Sequence, residues 1–103
     1  MVYEHRSYML LPGKRAEFME IFGKQLMPLF AKYGGKVVGT WWTDVGESNE
    51  FIYLLAFNDL GQRDDFWKTF RQDEAFQDYQ RRGPFVANAT NKIIRPTPYS
   101  PLQ

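Results

Sequence analysis

The chain has 103 residues, enough for one domain with a single core. Hydrophobic residues make up 44% and charged residues 24%, which excludes an intrinsically disordered chain. The net charge is +1 with both signs interspersed, so no basic stripe points to nucleic acid. The longest apolar runs are too short to span a membrane, so we expect a cytoplasmic protein with no membrane insertion.

Composition also limits the chemistry. The chain has no cysteine, which excludes disulfides, thiolate metal sites and a cysteine nucleophile. A single histidine gives no ligand set for a metal, so we expect neither a metal nor another cofactor. Aromatic residues make up 17%, a large apolar surface for so short a chain. A chain of this size has trouble burying so much apolar area by itself, so we expect a buried cavity or a subunit interface.

The first half of the chain predicts a strand, a helix and a hairpin. Residues 2–10 alternate as a strand, and Pro12 and Gly13 end it. Residues 14–33 have helical periodicity, with a kink or a restart expected near residues 24–28 because Pro28 lacks an N–H. Residues 36–45 and 50–57 are the next two strands, joined by a turn at residues 46–49. The third strand is apolar on both faces, which predicts burial on both faces.

The second half predicts helices and a last strand. Asp59 is the expected N-cap of a helix, with Gln62 in the capping-box position. A second short helix is expected from Asp73, and residues 85–95 form the fourth strand. Because prolines follow, we expect residues 96–103 of this single domain, residues 1–103, to be an extended tail.

The order strand, helix, strand, strand, helix, strand predicts an α+β fold. It is the ferredoxin-like βαββαβ pattern with a four-stranded antiparallel sheet. One sheet face would pack on the helices and the other would be open. Because the third strand is apolar on both faces, we expect two copies to close sheet to sheet as a homodimer.

Four motifs in chain order resemble those of the NIPSNAP family. The opening is similar to Y-E-L-R-x-Y with a later K-P-G-K, the hairpin to G-x-W…G…N, the second helix to D-L-x-x-R and the ending to R-P-x-P-Y-S-P-L. The matching positions are residues 3–8, residues 11–14, Gly39, Trp41, Gly46, Asn49, Asp59, Leu60, Arg63 and residues 95–102.

The resemblance implies a dimeric α/β barrel built from two ferredoxin-like subunits. It implies no assigned reaction, since the family's biochemical activity is largely unassigned and its animal members are associated with mitochondria and vesicle transport or mitophagy signalling. The wider superfamily includes small cofactor-independent monooxygenases and isomerases, an analogy of fold alone. Where the family often has His, Trp, Arg and Tyr on the third strand, this chain has Tyr53, Leu55, Ala56 and Phe57.

The main candidate site is on the first strand, where Glu4, Arg6 and Tyr8 share one face. In a functional interpretation they anchor an anionic or carbonyl-bearing ligand, since arginine and tyrosine donate hydrogen bonds and the glutamate orients the arginine. In a structural interpretation they form a buried ion pair and hydroxyl that fix the register of the sheet or a dimer interface. We favour the structural interpretation for Glu4, Arg6 and Tyr8 taken together.

Two further candidates are His5 and an aromatic pair. His5 points away from Glu4 and Arg6, and is either a general base or, as we favour, a histidine packed under or beside a helix. Trp41 and Tyr53 could line an aromatic pocket for a flat or apolar molecule, although core and dimer interface are the favoured roles. A cavity of roughly 300 Å³ or more with His5 or Arg6 at its wall would favour ligand binding.

The leading hypothesis is a homodimeric domain of unassigned biochemical activity that binds a small molecule or a protein partner. One alternative is a cofactor-independent monooxygenase or isomerase, with weak catalytic candidates in His5, Arg6 and Tyr8. The other alternative is a non-catalytic interaction module.

Overall fold

The computed structural model describes residues 1–103, which form an α+β domain with one antiparallel sheet. The strands have the order β2-β3-β1-β4, and all three neighbouring pairs are antiparallel. The helices pack on one face of this sheet, and none has the length and apolar character needed to cross a bilayer. The elements are β1 Val2–Leu10, α1 Arg15–Ile21, a π-helical segment Phe22–Leu26, α2 Met27–Lys32, β2 Lys36–Trp42, β3 Glu50–Phe57, α3 Leu60–Phe70, α4 Glu74–Arg82 and β4 Val86–Ile94.

The core lies between the sheet and the helices and is mostly aromatic. From β3, Phe51, Tyr53 and Leu55 are buried on this side, where their alternation points them at the helices. They pack against a cluster of rings, with the Phe22 and Phe51 centroids 4.9 Å apart at a near-perpendicular angle. The helical rings in this cluster are Phe18, Phe22, Phe30, Phe66, Trp67 and Phe70.

The expected irregularity near residues 24–28 is confirmed as a π-helical segment between α1 and α2. The Met27 N–H donates to the carbonyl of Phe22, five residues earlier, instead of four. Pro28 follows in the first turn of α2, where its missing N–H is tolerated. The wider turn keeps both Phe22 and Leu26 buried against the core.

A bulge in β2 overturns the expected alternation of residues 36–45. Val37 pairs with Leu55 but Gly39 pairs with Leu54, so the register shifts by one residue between them. Val37 therefore faces the helices, while Trp41, opposite Ile52, lies on the other face. A one-residue slip moves all later side chains to the opposite face, which alternation in the sequence cannot reveal. The strand also ends at Trp42, three residues before the predicted end.

The cap of α3 is confirmed at Asp59, with a variation. Asp59 Oδ1 accepts a hydrogen bond from the Gln62 N–H at 2.8 Å. The Gln62 side chain reaches back to the N–H of Asn58 at 2.5 Å, one residue before the position that a capping box uses. Both bonds satisfy donors at the helix entrance.

The open face of the sheet carries side chains that no helix covers. Ile52 and Leu54 of β3 are half-buried here, so the expectation of a third strand buried on both faces is met fully only on the helical side.

The C-terminal tail, expected to be extended, contains a turn in which Ser100 N–H donates to the Thr97 carbonyl. Its last residue accepts a hydrogen bond from the Tyr3 hydroxyl at 2.6 Å, so the tail lies over one end of this face.

Candidate functional site

Glu4 is the polar centre of the helical side of the sheet. Its side chain is completely buried, and its two carboxylate oxygens accept five hydrogen bonds. The donors are Arg6 Nη1 at 2.7 Å, Arg63 Nε at 2.9 Å, Arg63 Nη2 at 3.3 Å, Trp67 Nε1 at 2.8 Å and Asn91 Nδ2 at 3.2 Å. A carboxylate has about four lone-pair sites, so none is left for a ligand.

The charge of Glu4 is held by these donors. Burial by itself would raise its pKa, but the hydrogen bonds from Arg63, Trp67, Arg6 and Asn91 outweigh burial and lower the pKa to about 2. Glu4 is therefore an anion at neutral pH and too weak a base to abstract a proton. This outcome supports the structural interpretation for Glu4.

Arg6 is only partly engaged by this network. Its Nη1 binds Glu4, its Nε donates to the Tyr8 hydroxyl at 3.3 Å, and its guanidinium carbon lies 4.5 Å from the Trp67 ring centroid. Burial opposes the charge, but interactions with Tyr53, Tyr8 and Glu4 raise the pKa of Arg6 above its usual value. Its Nη2 donates no hydrogen bond within the protein, and it is not among the buried polar atoms without a partner. Nη2 is therefore a solvent-accessible cationic donor.

Tyr8 and Tyr53 form a hydroxyl pair beside Arg6. Their oxygens are 2.7 Å apart, and each residue has one proton to donate. Burial, followed by the neighbouring Tyr8, raises the pKa of Tyr53 well above its ordinary value, so Tyr53 is neutral at physiological pH. Only one of the two protons can lie between the oxygens. The pair therefore has one O–H left over for a water or a ligand.

These donors line a pocket between the sheet and the helices. The π-helical segment closes one side with Phe22 and Leu26, and the end of α3 brings Trp67 and Arg71. The cavity volume is about 60 Å³, well below the 300 Å³ at which ligand binding was expected to be favoured. The lining is Arg6, Tyr8, Phe22, Leu26, Phe30, Tyr53, Trp67, Phe70, Arg71, Phe76 and Tyr79, which includes two arginines, three tyrosines and no carboxylate.

The structure brings together four of the six candidate residues. Glu4, Arg6 and Tyr8 share a face as predicted, and Tyr53 joins them because it pairs with Arg6 across the strands. Trp41 does not join them: the bulge in β2 places it on the open face, half-exposed, while Tyr53 is buried on the helical face. Trp41 and Tyr53 therefore do not line a common pocket. The favoured core role holds for Tyr53, and a dimer-interface role for Trp41 stays a prediction.

His5 lies on the open face, as its opposite phase to Glu4 and Arg6 predicted. It pairs with Lys92 of β4, and no helix packs over it, so the expectation of a histidine beside a helix is wrong. Its ring forms no hydrogen bond within the protein. With Ser7, Thr90, Asn91 and Lys92 it lines a surface depression of about 340 Å³, which meets the volume and the His5 position named above as favouring ligand binding. His5 therefore cannot act in the pocket that Arg6 lines.

Sequence reasoning did not identify the residues that α3 and α4 contribute to this site. Trp67 belongs to the core, and in addition its indole N–H donates to Glu4 and its ring covers Arg6. Arg63 lies one turn before Trp67, so a charged residue and an indole on the same buried helix face were a usable signal. Arg71 and Tyr79 had no comparable signal, because only the folding of both helices brings them to the pocket.

Comparison with known proteins decides the family. The family model described as NIPSNAP matches residues 3–101, nearly the whole chain. The chain belongs to the NIPSNAP family. This confirms the resemblance based on the four motifs.

Solved NIPSNAP structures have the same fold. A NIPSNAP-like domain protein from Burkholderia xenovorans is 27% identical with a TM-score of 0.87, and the match covers 97% of this chain and 88% of that one. A NIPSNAP family protein of unknown function from Agrobacterium tumefaciens is 25% identical with a TM-score of 0.91, covering 100% and 94%. These similarities establish the antiparallel α+β NIPSNAP fold.

Curated relatives are longer proteins. The NipSnap homolog of Dictyostelium discoideum is 28% identical over 99% of this chain, which spans 40% of that relative. Human NipSnap homolog 2 is 26% identical over 99% of this chain, which spans 35% of it. The NIPSNAP domain described here thus corresponds to about two fifths or less of these relatives.

The chemistry available in the NIPSNAP pocket is hydrogen-bond donation next to a positive charge. Arg6 Nη2 and the surplus tyrosine O–H both donate, and most of the remaining lining is aromatic. No group of three or more His, Asp or Glu side chains in the chain could hold a metal ion. The arrangement can bind and polarise an oxygen acceptor.

Proposed function

We propose that this NIPSNAP domain is a homodimer that binds a small molecule in the pocket between its sheet and its helices. The observation that carries the proposal is the unpaired Nη2 of Arg6 beside the surplus proton of the tyrosine pair. Both donors lack an acceptor within the protein, so a ligand oxygen can take the place of the water that otherwise satisfies them, whereas Glu4 has no site left for a ligand. The small cavity means that a ligand enters only in part or that the helices move apart to admit it.

Native mass spectrometry of the protein purified from its own host tests binding. We expect a retained small molecule on the wild type and its loss in Arg6→Gln, which removes the cationic donor. Lys68→Gln is the control for the loss of one positive charge, since Lys68 is an exposed cation without an ion pair or a place in the pocket. Equal retention in Arg6→Gln and Lys68→Gln would contradict a site at Arg6.

The dimer part of the proposal rests on the open face of the sheet. Its strand order supports a ferredoxin-like subunit, and two such sheets packed face to face would make a dimeric α/β barrel. Apolar side chains on this face are incompletely covered within one chain: Trp41 is 51% and Ile94 40% exposed, and Ile52 and Leu54 are half-buried. Covering them with a second copy would remove this apolar surface from water.

Light scattering tests the dimer directly. We expect a mass of twice the 12.2 kDa chain at micromolar concentration. Leu54→Arg on the open face should give a folded monomer, because a charge there cannot be buried without a partner. Val45→Arg is the control, since Val45 is 91% exposed in the β2–β3 turn. A monomeric wild type would refute the dimer and leave the ligand proposal standing.

A second candidate is a cofactor-independent monooxygenase or isomerase. It is favoured by one observation: the surplus tyrosine proton next to Arg6 is placed to stabilise an enolate oxygen. His5 is on the other face and cannot supply the base, and no carboxylate lines the pocket, so the substrate would have to lose its proton to solvent and bind as an anion. Turnover of a retained ligand that is lost in Tyr8→Phe would support this candidate. If the ligand is recovered unchanged after incubation with the protein in air, the pocket binds this ligand without catalysing a reaction of it.

A further inference from the structure

We propose that the ligand of this pocket is a small organic monocarboxylate, with its carboxylate on Arg6 and the tyrosine pair and its apolar part against the aromatic wall. This inference rests on the proposed function and narrows it to a chemical class. It follows from three properties of the pocket: the donors it presents, its charge and its size.

The pocket presents donors that the protein leaves without acceptors. They are Arg6 Nη2, one hydroxyl proton of the Tyr8–Tyr53 pair, and the Tyr79 hydroxyl, which forms no hydrogen bond within the protein. Burial raises the pKa of Tyr79 above its usual range, so it too is a neutral donor. A carboxylate has two oxygens that accept without donating, and bonds between ionic partners are the stronger kind. An amine or ammonium group would instead meet like charge and other donors.

The charges near the pocket leave one cation uncompensated. Glu4 is paired with Arg6 at 2.7 Å, and Arg63 bonds both Glu4 and the exposed Asp64, so these four charges sum to zero. Arg71, at the rim with its guanidinium carbon 5.8 Å from the Trp67 ring centroid, forms no ion pair. No carboxylate lines the cavity to repel an anion. A single surplus positive charge matches a monoanion better than a phosphate dianion.

The volume limits what can be buried. An apolar protein cavity of about 150 Å³ holds benzene, whereas this cavity is about 60 Å³. On that scale it takes little more than the carboxylate itself, so the remainder of the ligand would lie outside it, beside lining residues such as Phe76 and the exposed Arg71. A short arylalkyl acid has the required shape, because its carboxylate is compact enough for the cavity and its aromatic ring can pack outside it, beside Phe76.

The experiment is a calorimetric titration at pH 7 with four matched probes: phenylacetate, phenylacetamide, phenethylamine and phenyl phosphate. We expect phenylacetate to bind at least tenfold more tightly than the neutral amide and more tightly than the phosphate, and the amine not to bind. Arg71→Gln should weaken phenylacetate severalfold, and Lys68→Gln should leave it unchanged. Both variants remove one exposed cation without an ion pair, so they change the net charge alike.

The outcomes separate this inference from the function on which it rests. Equal affinity for acid and amide, or tighter binding of the phosphate, would overturn the carboxylate inference while leaving a binding pocket. Equal weakening by Arg71→Gln and Lys68→Gln would show attraction by overall charge and overturn the site. If no probe binds and the purified protein retains no molecule, both the inference and the proposed function are wrong.

Discussion

Replacing Glu4 by glutamine removes the charge at the centre of the network and changes almost nothing in shape. Glutamine keeps one oxygen acceptor but puts an NH₂ group where Glu4 accepts from arginine, indole or amide donors. Arg6 and Arg63 would each lose an ionic partner in a site where Glu4 has no exposed surface. The substitution therefore tests whether this network holds β1 to α3.

The magnitude follows from the pKa of Glu4, which is lowered from 4.5 to about 2. A lowering of that size corresponds to about 3 kcal/mol favouring the ionised form in the folded state. Breaking a buried ion pair from one side costs about 3–5 kcal/mol in general. We therefore expect Glu4→Gln to lower the free energy of unfolding by about 3–5 kcal/mol at pH 7, a large share of the stability of a small domain.

The assay is urea unfolding followed by circular dichroism between pH 7 and pH 2. Because folding lowers the pKa of Glu4, its contribution is fully present above pH 4.5 and is lost as the pH falls toward 2. Wild type and Glu4→Gln should differ most at pH 7 and converge near pH 2. Glu17→Gln is the control: Glu17 is exposed and paired only with Lys14 at 3.7 Å, so its loss should cost below about 1 kcal/mol.

Two results would refute this reasoning. One is a Glu4→Gln protein within about 1 kcal/mol of wild type at pH 7, which would mean that the network contributes no net stability. The other is a stability difference that stays constant down to pH 2, since the loss would then have a cause other than the charge of Glu4.

Three further substitutions have defined outcomes. Arg6→Ala should cost about 1–3 kcal/mol in urea unfolding, less than Glu4→Gln, since Glu4 keeps its other donors; an unchanged melting temperature would mean that Arg6 serves only a ligand. Gly35→Ala should cost about 1–3 kcal/mol, because the new Cβ would lie 2.7 Å from the buried Phe66 ring; a neutral effect on thermal unfolding would contradict this packing. Asp59→Ala should cost about 1 kcal/mol and speed amide exchange in the first turn of α3; unchanged exchange there would exclude the cap.

The sequence predicted most of the elements because their signals are local. β1 and β3 have the predicted bounds, since each alternates without a break between clear turn residues. The same alternation placed Glu4, Arg6 and Tyr8 on one face. Pro28 marked the site of the helical irregularity because its effect depends only on the preceding turn.

The side of β2 on which Trp41 lies could not be predicted in this way. The bulge between Val37 and Gly39 inserts one residue, and alternation alone does not reveal it. Gly39 is a general signal for a bulge or for a close approach, and only the fold shows that both occur, since a Cβ there would lie 2.6 Å from the Trp41 ring. The alternative of a pocket shared by Trp41 and Tyr53 is excluded for this reason, since the two side chains lie on opposite faces.

The sequence by itself determined the α+β pattern, the NIPSNAP family and the shared face of Glu4, Arg6 and Tyr8 on β1. Only the tertiary structure decided which of these three side chains is fully hydrogen-bonded within the protein. Glu4 accepts hydrogen bonds from Arg63, Trp67 and Asn91, which lie 59, 63 and 87 positions further along the chain. The packing of α3 and β4 against β1 therefore determines which donors Glu4 meets. The same packing satisfies Glu4 completely but leaves Arg6 Nη2 without a partner in the protein, a difference between neighbouring polar residues that arises only when all donors and acceptors are in place.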